Sequence, residues 1–242
     1  MFKQHVQGNH TLLSHPKYTS QITLDWFDAN YWQQQNKIVG AKKGRATAWF
    51  FKQDELTAVL RHYWRGGLVG KLLSDQYLYP GLEQTRVYKE FSLMSKLIVL
   101  GLNVPTPIAA KVTRSGLIYR GDIITEAVKG AKSVLDILIE RSLTEDELER
   151  IAKTIALFHS KGVYHADLNI NNILFNDISD VYIIDFDRGE IKTPNLQWQQ
   201  SNLARLERSF LKEQGRNKPF NWQASDWQTL HSNYLKALAN IN

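Results

Sequence analysis

Tyr164-His165-Ala166-Asp167-Leu168-Asn169-Ile170-Asn171-Asn172-Ile173-Leu174 decides the reading of this chain, together with Ile183-Ile184-Asp185-Phe186-Asp187, which begins eleven residues after Asn172. The first stretch contains His-x-Asp and then, after four residues, Asn. The second sets an aspartate at the end of an apolar run. Phosphoryl transfer needs these residue types. One carboxylate takes or orients the proton of an attacking hydroxyl, and that is the role open to Asp167. A second carboxylate and an amide oxygen, Asp185 and Asn172, hold divalent cations against phosphates. Magnesium is a hard ion and prefers such oxygen ligands. The five-residue step from Asp167 to Asn172 lets a single loop present both groups. A histidine beside an aspartate is no acid–base pair without the geometry, so His165 reads as a packing residue that bonds backbone near the second loop.

Working outward, the two motifs stand in order between a long helical pattern and apolar strand text. They have the form of the catalytic loop and metal loop of the protein-kinase-like fold, with Asp187 in place of a glycine. That form predicts an α+β, two-lobed architecture: a β-rich amino-terminal lobe with one key helix, then a small helical lobe. It also predicts where the remaining parts lie. Gly40-Ala41-Lys42-Lys43-Gly44-Arg45-Ala46 falls between strand candidates, where a loop bearing Gly40 and Gly44 covers the phosphates. An ordinary hairpin has the same appearance. Leu56-Thr57-Ala58-Val59-Leu60-Arg61 has the form of the strand that ends in the phosphate-binding lysine, with Arg61 at the lysine. Arginine binds phosphate bidentately and pairs with carboxylates, so the role is open to it. Glu90, on the helix that follows, is its expected partner, with Arg65 and Glu83 as rivals for the two roles. Backbone groups of Glu126 and Val128 fall, by position alone, where the lobes join and adenine is expected; a plain buried strand has the same appearance.

The rest of the chain fits that plan. Strands are expected at Lys37–Val39, Ala46–Phe51, Leu56–Tyr63, Ile108–Thr113, Leu117–Tyr119 and Ile123–Val128. Phe91, Met94, Leu97 and Ile98 recur at helical spacing, and Gly101, Pro105 and Pro107 stop that helix. Trp26, Phe27, Tyr31 and Trp32 predict a short amino-terminal helix packed on the body. Thr144 and Glu147 form a capping box for a helix whose buried face carries Ile151, Ile155 and Phe158 and which Gly162 ends. The expected organisation is one kinase-like unit over residues 1–242. Residues 1–128 form the amino-terminal extension and first lobe, and residues 129–242 the second, with a ligand cleft between them.

Composition narrows the function classes. Of the 242 residues 43% are apolar, enough for a sizeable core. There are no cysteines, which excludes disulfides, thiolate metal sites and a cysteine nucleophile. Thirty Lys and Arg against 24 Asp and Glu give a charge of +6, favouring anionic partners. No groove-reading motif or zinc spacing points to nucleic acid. No run approaches the roughly 20 apolar residues of a membrane span, and the first 20 residues lack the apolar core of a secretory signal. The expectation is a cytosolic protein able to sit on a membrane surface. Leu196–Lys212 interleaves Arg205, Arg208 and Lys212 with Trp198, Leu203, Leu206 and Phe210, a pattern suited to anionic lipid or an anionic acceptor, or to a helix with a solvated basic face.

With these residues in place, the sequence resembles the 3-deoxy-D-manno-octulosonic acid (Kdo) kinase family, in the lipopolysaccharide-kinase branch of the kinase-like superfamily. The resemblance is carried by Leu60-Arg61-His62-Tyr63-Trp64-Arg65-Gly66-Gly67-Leu68, His165-Ala166-Asp167-Leu168-Asn169, Ile184-Asp185-Phe186-Asp187-Arg188-Gly189 and Asn202-Leu203-x-Arg205-Leu206-x-Arg208-Ser209. It implies ATP-dependent, magnesium-assisted phosphorylation of the Kdo 4-hydroxyl on a Kdo–lipid A precursor. It also implies a peripheral protein at the cytoplasmic face of the inner membrane, in contact with an anionic lipid surface. Ala46 departs from the family's glycine, and Asn171 stands where histidine is common. The rival readings are a kinase for a lipopolysaccharide heptose or a protein, and a pseudokinase. The short stretch after Asp187 leaves little room for a peptide-binding subdomain and favours a small or lipid-linked acceptor.

Overall fold

Period-two alternation between residues 38 and 62 produces three strands, and they become one side of a larger sheet. The computed structural model describes residues 2–43, 47–65 and 75–241. The chain divides into two compact units, Met1–Lys96 with Pro105–Ala127, and Leu97–Val104 with Val128–Asn242. The first unit contains β1 (Lys3–Gln7), β2 (His10–Ser14), α1 (Ala29–Gln34), β3 (Ile38–Lys43), β4 (Thr47–Gln53), β5 (Leu56–His62), β6 (Tyr77–Leu78), most of α2 (Arg86–Val99), β7 (Pro107–Ser115) and β8 (Ile118–Glu126). These strands form an antiparallel sheet in the order β1-β2-β7-β8-β5-β4-β3, with β6 pairing β8.

The β1–β2 hairpin is an addition to the expected strands, the first of which is Lys37–Val39. Its turn signal is Gly8-Asn9, with Gly8 at φ +61°, a conformation glycine adopts without penalty. The hairpin adds to the free edge of β7, Leu13 opposite Ala110. The aromatic stripe is also split. Leu24–Phe27 is a 3-10 turn, and Asp28 caps a separate α1 by accepting from the Asn30 amide at 2.9 Å. Both pieces cover one face of the sheet. Trp32 lies flat on Phe51 with centroids 4.0 Å apart, and its indole N–H donates to the Trp26 carbonyl at 2.9 Å. Trp26, Phe27, Trp32, Phe51, Ala58 and Leu60 are buried together there. At the opposite end of the hairpin, Phe2 sets its ring edge-on against Tyr88 and Phe91 of α2.

β8 is a single nine-residue strand where two were expected. Gly121 does not break it. A methyl group there would lie 2.8 Å from Val87 Cγ2, so the glycine is where helix α2 approaches the sheet.

The second unit contains β9 (Lys132–Ser133), α3 (Val134–Glu140), α4 (Glu145–Ser160), β10 (Val163–Tyr164), β11 (Ile173–Phe175), β12 (Val181–Ile183), β13 (Glu190–Ile191), α5 (Leu196–Gln214) and α6 (Ala224–Ile241). The Thr144–Glu147 capping box starts α4, and a second box, Ser133–Asp136, starts α3. Gly162, at φ +76°, ends α4 so tightly that a Cβ would overlap the Lys192 carbonyl oxygen. The helix packs along α6, and His159 Nδ1 meets the Tyr234 hydroxyl at 2.8 Å. Burial pushes His159 down to about 4 and Tyr234 up to about 12. Among the described residues no helix is long and apolar enough to cross a membrane.

Candidate active site

Two loops that cross between two small antiparallel sheets, β10–β13 and β12–β11–β9, carry the residues of interest. Between β10 and β11 the chain runs through His165–Asn172, and after β12 it runs through Ile184–Gly189. His165 is buried, with Nδ1 accepting the Asp167 amide at 3.1 Å and Nε2 facing the Ile184 carbonyl at 2.9 Å. An acceptor Nδ1 fixes the neutral tautomer with hydrogen on Nε2. Burial lowers its pKa, chiefly by desolvation, which agrees with a neutral ring. The histidine therefore joins the two loops, as its packing role predicts.

Asn172 donates from Nδ2 to the Asp167 carbonyl at 3.0 Å, and its own carbonyl accepts the Ile184 amide at 3.0 Å. The amide nitrogen is spent on that bond, and Oδ1 is the side chain's oxygen donor. Asn169 adds a second bond to the Asp167 carbonyl at 2.8 Å. Asp185 sits at φ +65°, a left-handed conformation that costs an ordinary side chain free energy and that short polar residues tolerate best. Phe186 anchors it, fully buried, with its ring parallel to Phe158 and its carbonyl accepting the Gly189 amide at 2.8 Å. The donor set of Asp185 carboxylate and Asn172 amide oxygen is all hard oxygen. Among the described residues no cluster of three His, Asp or Glu forms a metal cage. That donor set fits magnesium, which takes one or two protein oxygens and completes its shell from phosphates and water.

Helix α5 holds this loop at three points. Asn202 Oδ1 accepts the His165 amide at 3.2 Å, Arg205 Nη1 donates to Asp167 Oδ1 at 3.1 Å, and Ser209 Oγ accepts the Ile170 amide at 3.2 Å. Residues 202, 205 and 209 lie on one helix face because they are three and four apart. Asn202 is 2% exposed, beside buried Leu203, Leu206 and Phe210. The sequence pattern suits this helix to anionic lipid, to an anionic acceptor or to a solvated basic face, and does not show the clamp. The available signal was a polar residue on an otherwise apolar face, which is explained when its amide oxygen satisfies a buried N–H.

In the first unit, Arg61 donates from Nη2 to Glu90 Oε1, and Tyr63 donates from its hydroxyl to Glu90 Oε2. Glu90 is 1% exposed, and Arg61 lies opposite Ala48 and Ile123. Tyr63 as a third member was not anticipated. Glu83, the rival carboxylate, lies exposed in a 3-10 turn. Gly40 requires a correction. It sits inside β3 opposite Phe50, next to a register shift, and not in a loop. Ladder pairing continues from Gly40 to Lys43, which leaves only residues 44–46 between the strands. Gly44 and Ala46 lie outside the described residues. Glu126 donates its amide to Thr106 at 2.8 Å, and its carboxylate accepts from the Tyr18 hydroxyl. The Val128 carbonyl accepts the Ala131 amide at 3.3 Å.

A cavity of about 430 Å³ in this unit is lined by Phe27, Trp49, Leu60, His62, Trp64 and Asp122. Leu60 and His62 alternate with Arg61, so the cavity opens on the other face of β5 from the arginine. Burial alone would lower the pKa of His62, but ion pairs with Asp122 at 2.7 Å and Asp75 at 3.3 Å outweigh it and raise the value.

Comparison with known proteins places the chain. The model of the lipopolysaccharide kinase (Kdo/WaaP) family matches residues 29–234. A 3-deoxy-D-manno-octulosonic acid kinase of Vibrio parahaemolyticus is 42% identical over 230 residues, covering 95% of this chain and 96% of its own. A protein of the same name from Photobacterium profundum is 43% identical over 208 residues, covering 86% and 87%. Among solved structures, the bifunctional kinase-methyltransferase WbdD gives a TM-score of 0.48 at 13% identity, covering 84% of this chain and 47% of that one. A family match over most of the chain, with relatives above 40% identity along nearly their whole length, leaves one conclusion: the chain belongs to the lipopolysaccharide kinase (Kdo/WaaP) family.

Proposed function

We propose that this protein, working as one kinase-like unit over its two halves, transfers the γ-phosphoryl group of ATP to the 4-hydroxyl of Kdo on a Kdo–lipid A precursor. The observation that carries the reading is the bonding of the Asp167 loop to the Asp185 loop through Asn172, which touches both. Asp167 is assigned to the acceptor hydroxyl as base. The hydroxyl oxygen forms a bond to the γ-phosphorus as the bond from that phosphorus to the β–γ bridging oxygen breaks. The hydroxyl proton passes to the Asp167 carboxylate, and ADP leaves. Asp185 and Asn172 are assigned to magnesium, which when bound neutralises charge on the phosphate oxygens. Arg61, held by Glu90 and Tyr63, is assigned to the ATP phosphates. Glu126 and Val128 are assigned to adenine through their backbone.

The acceptor is lipid-linked, so the enzyme is assigned to the cytoplasmic face of the inner membrane as a peripheral protein. Arg208 and Lys212 on α5, with Leu211 exposed beside them, support contact with anionic lipid.

The test is transfer from labelled ATP to purified Kdo–lipid A precursor, with and without magnesium, by wild type and Asp185→Asn. Metal-dependent labelling that the variant loses is expected. A heptosylated acceptor labelled in place of the precursor would assign the activity to heptose.

A further inference from the structure

We infer that Arg205 reads the carboxylate of the acceptor and so selects an acidic sugar; the inference rests on the acceptor class proposed above. The starting observation is the Arg205–Asp167 ion pair, Nη1 to Oδ1 at 3.1 Å, with the two side chains 46% and 53% exposed. Half-exposed pairs of this kind contribute little to stability, so the pair calls for another explanation. Its position supplies one. Asp167 is the residue against which the acceptor hydroxyl must lie. The loop from His165 to Asn172 contains no lysine or arginine. Arg205 is the cation that meets it, and it arrives from a helix 38 residues along the chain. Asn202 and Ser209, on either side of Arg205, bond the same loop and so fix the guanidinium's station.

An octulosonic acid brings a carboxylate to a site whose base is already a carboxylate. Two like charges at close range repel, and the repulsion raises the cost of binding the acceptor beside an ionised base. A guanidinium between them turns that repulsion into two attractions. Arginine suits the task because its planar fork has five N–H donors, and the bond to Asp167 uses one. In the bound state Arg205 bridges Asp167 Oδ1 and the acceptor carboxylate. Oδ2, which the ion pair leaves unused, takes the hydroxyl proton. A neutral sugar lacks the group that Arg205 holds and binds without this anchor.

The experiment uses the full chain and two acceptors: the Kdo–lipid A precursor and the same molecule with its carboxyl converted to a primary carboxamide. Wild type, Arg205→Lys and Arg205→Gln are compared by kcat/KM for labelled phosphate transfer. Wild type is expected to prefer the acid by about 100-fold, the worth of a charge-assisted pair. Arg205→Gln is expected to lose activity on the acid, mostly through KM, and to show an acid-to-amide ratio near one. Arg205→Lys is expected to fall between, because an ammonium keeps the charge and loses the fork. The ratio compares two acceptors on one preparation, so a partly misfolded variant does not disturb it. An Arg205→Gln protein that keeps the wild-type ratio, or a wild type with no preference, overturns the assignment and leaves Arg205 as a clamp on the loop. A wild type that labels neither acceptor overturns the acceptor class itself, and this inference with it.

Discussion

Asp167 and Glu90 are both carboxylates beside an arginine, and they differ in burial. That difference sets opposite expectations for substitution. Asp167→Asn keeps shape and removes the base, so transfer should fall by about 10³-fold. Losing the half-exposed pair to Arg205 should cost no more than about 1 kcal/mol, read as an almost unchanged urea midpoint. Arg61→Ala should do the reverse in part. It withdraws the guanidinium from a carboxylate that is 1% exposed, and the first unit should lose about 2 kcal/mol or more in urea unfolding while ATP binding weakens. Arg61→Lys should recover part of both. The paired motifs around Asp167, Asn172 and Asp185 were legible because phosphoryl transfer fixes residue type and spacing together. Tyr63 was not, since nothing about a tyrosine two residues after Arg61 says that its hydroxyl shares the same glutamate.

At the level of elements, α5 and the end of α4 are the places where a single atom matters. Asn202→Ala leaves the buried His165 amide without its acceptor, at a cost of about 2 kcal/mol. The same change should lower turnover, because the amide belongs to the loop that carries Asp167. A thermal melt alongside a transfer assay separates the two effects. Gly162→Ala combines a left-handed φ with overlap on the Lys192 carbonyl, and the expected outcome is loss of soluble folded protein or a marked drop in melting temperature. Gly162, the capping box at Thr144 and the α2 stop at Gly101 were legible, because caps are written in local residues. The β1–β2 hairpin and the unbroken β8 were harder to read. Both depend on a distant partner, β7 about a hundred residues on for the hairpin and Val87, 34 residues back, for Gly121, and a strand whose justification lies so far along the chain leaves a weak local pattern.

Across the whole molecule, acid stability should follow the buried histidines of the second unit. The His159 pKa is about 4 when folded and near 6.5 when unfolded, so the unfolded chain binds the proton first. Its contribution is complete above pH 6.5 and is lost as pH falls toward 4. Unfolding at pH 5 should be easier by about 2 kcal/mol than at pH 7 on this account alone. His165, lowered by burial as well, acts in the same direction. Urea titrations at the two pH values test this, and His159→Gln should flatten the difference. The division into a β-rich and a helical unit follows from residue patterning, but the amino-terminal extension does not. Its aromatic residues gave a packing role without saying that they cover the sheet face behind Arg61. Phe2 carries the practical consequence. Its ring rests on Tyr88 and Phe91, the neighbours on either side of Lys89 and Glu90. In many proteins the first few residues are a convenient place for a purification tag or a trimmed start codon. Here an engineer who edits that end is also handling the helix that presents Glu90 to Arg61, and the edit is expected to show in assays that report on nucleotide.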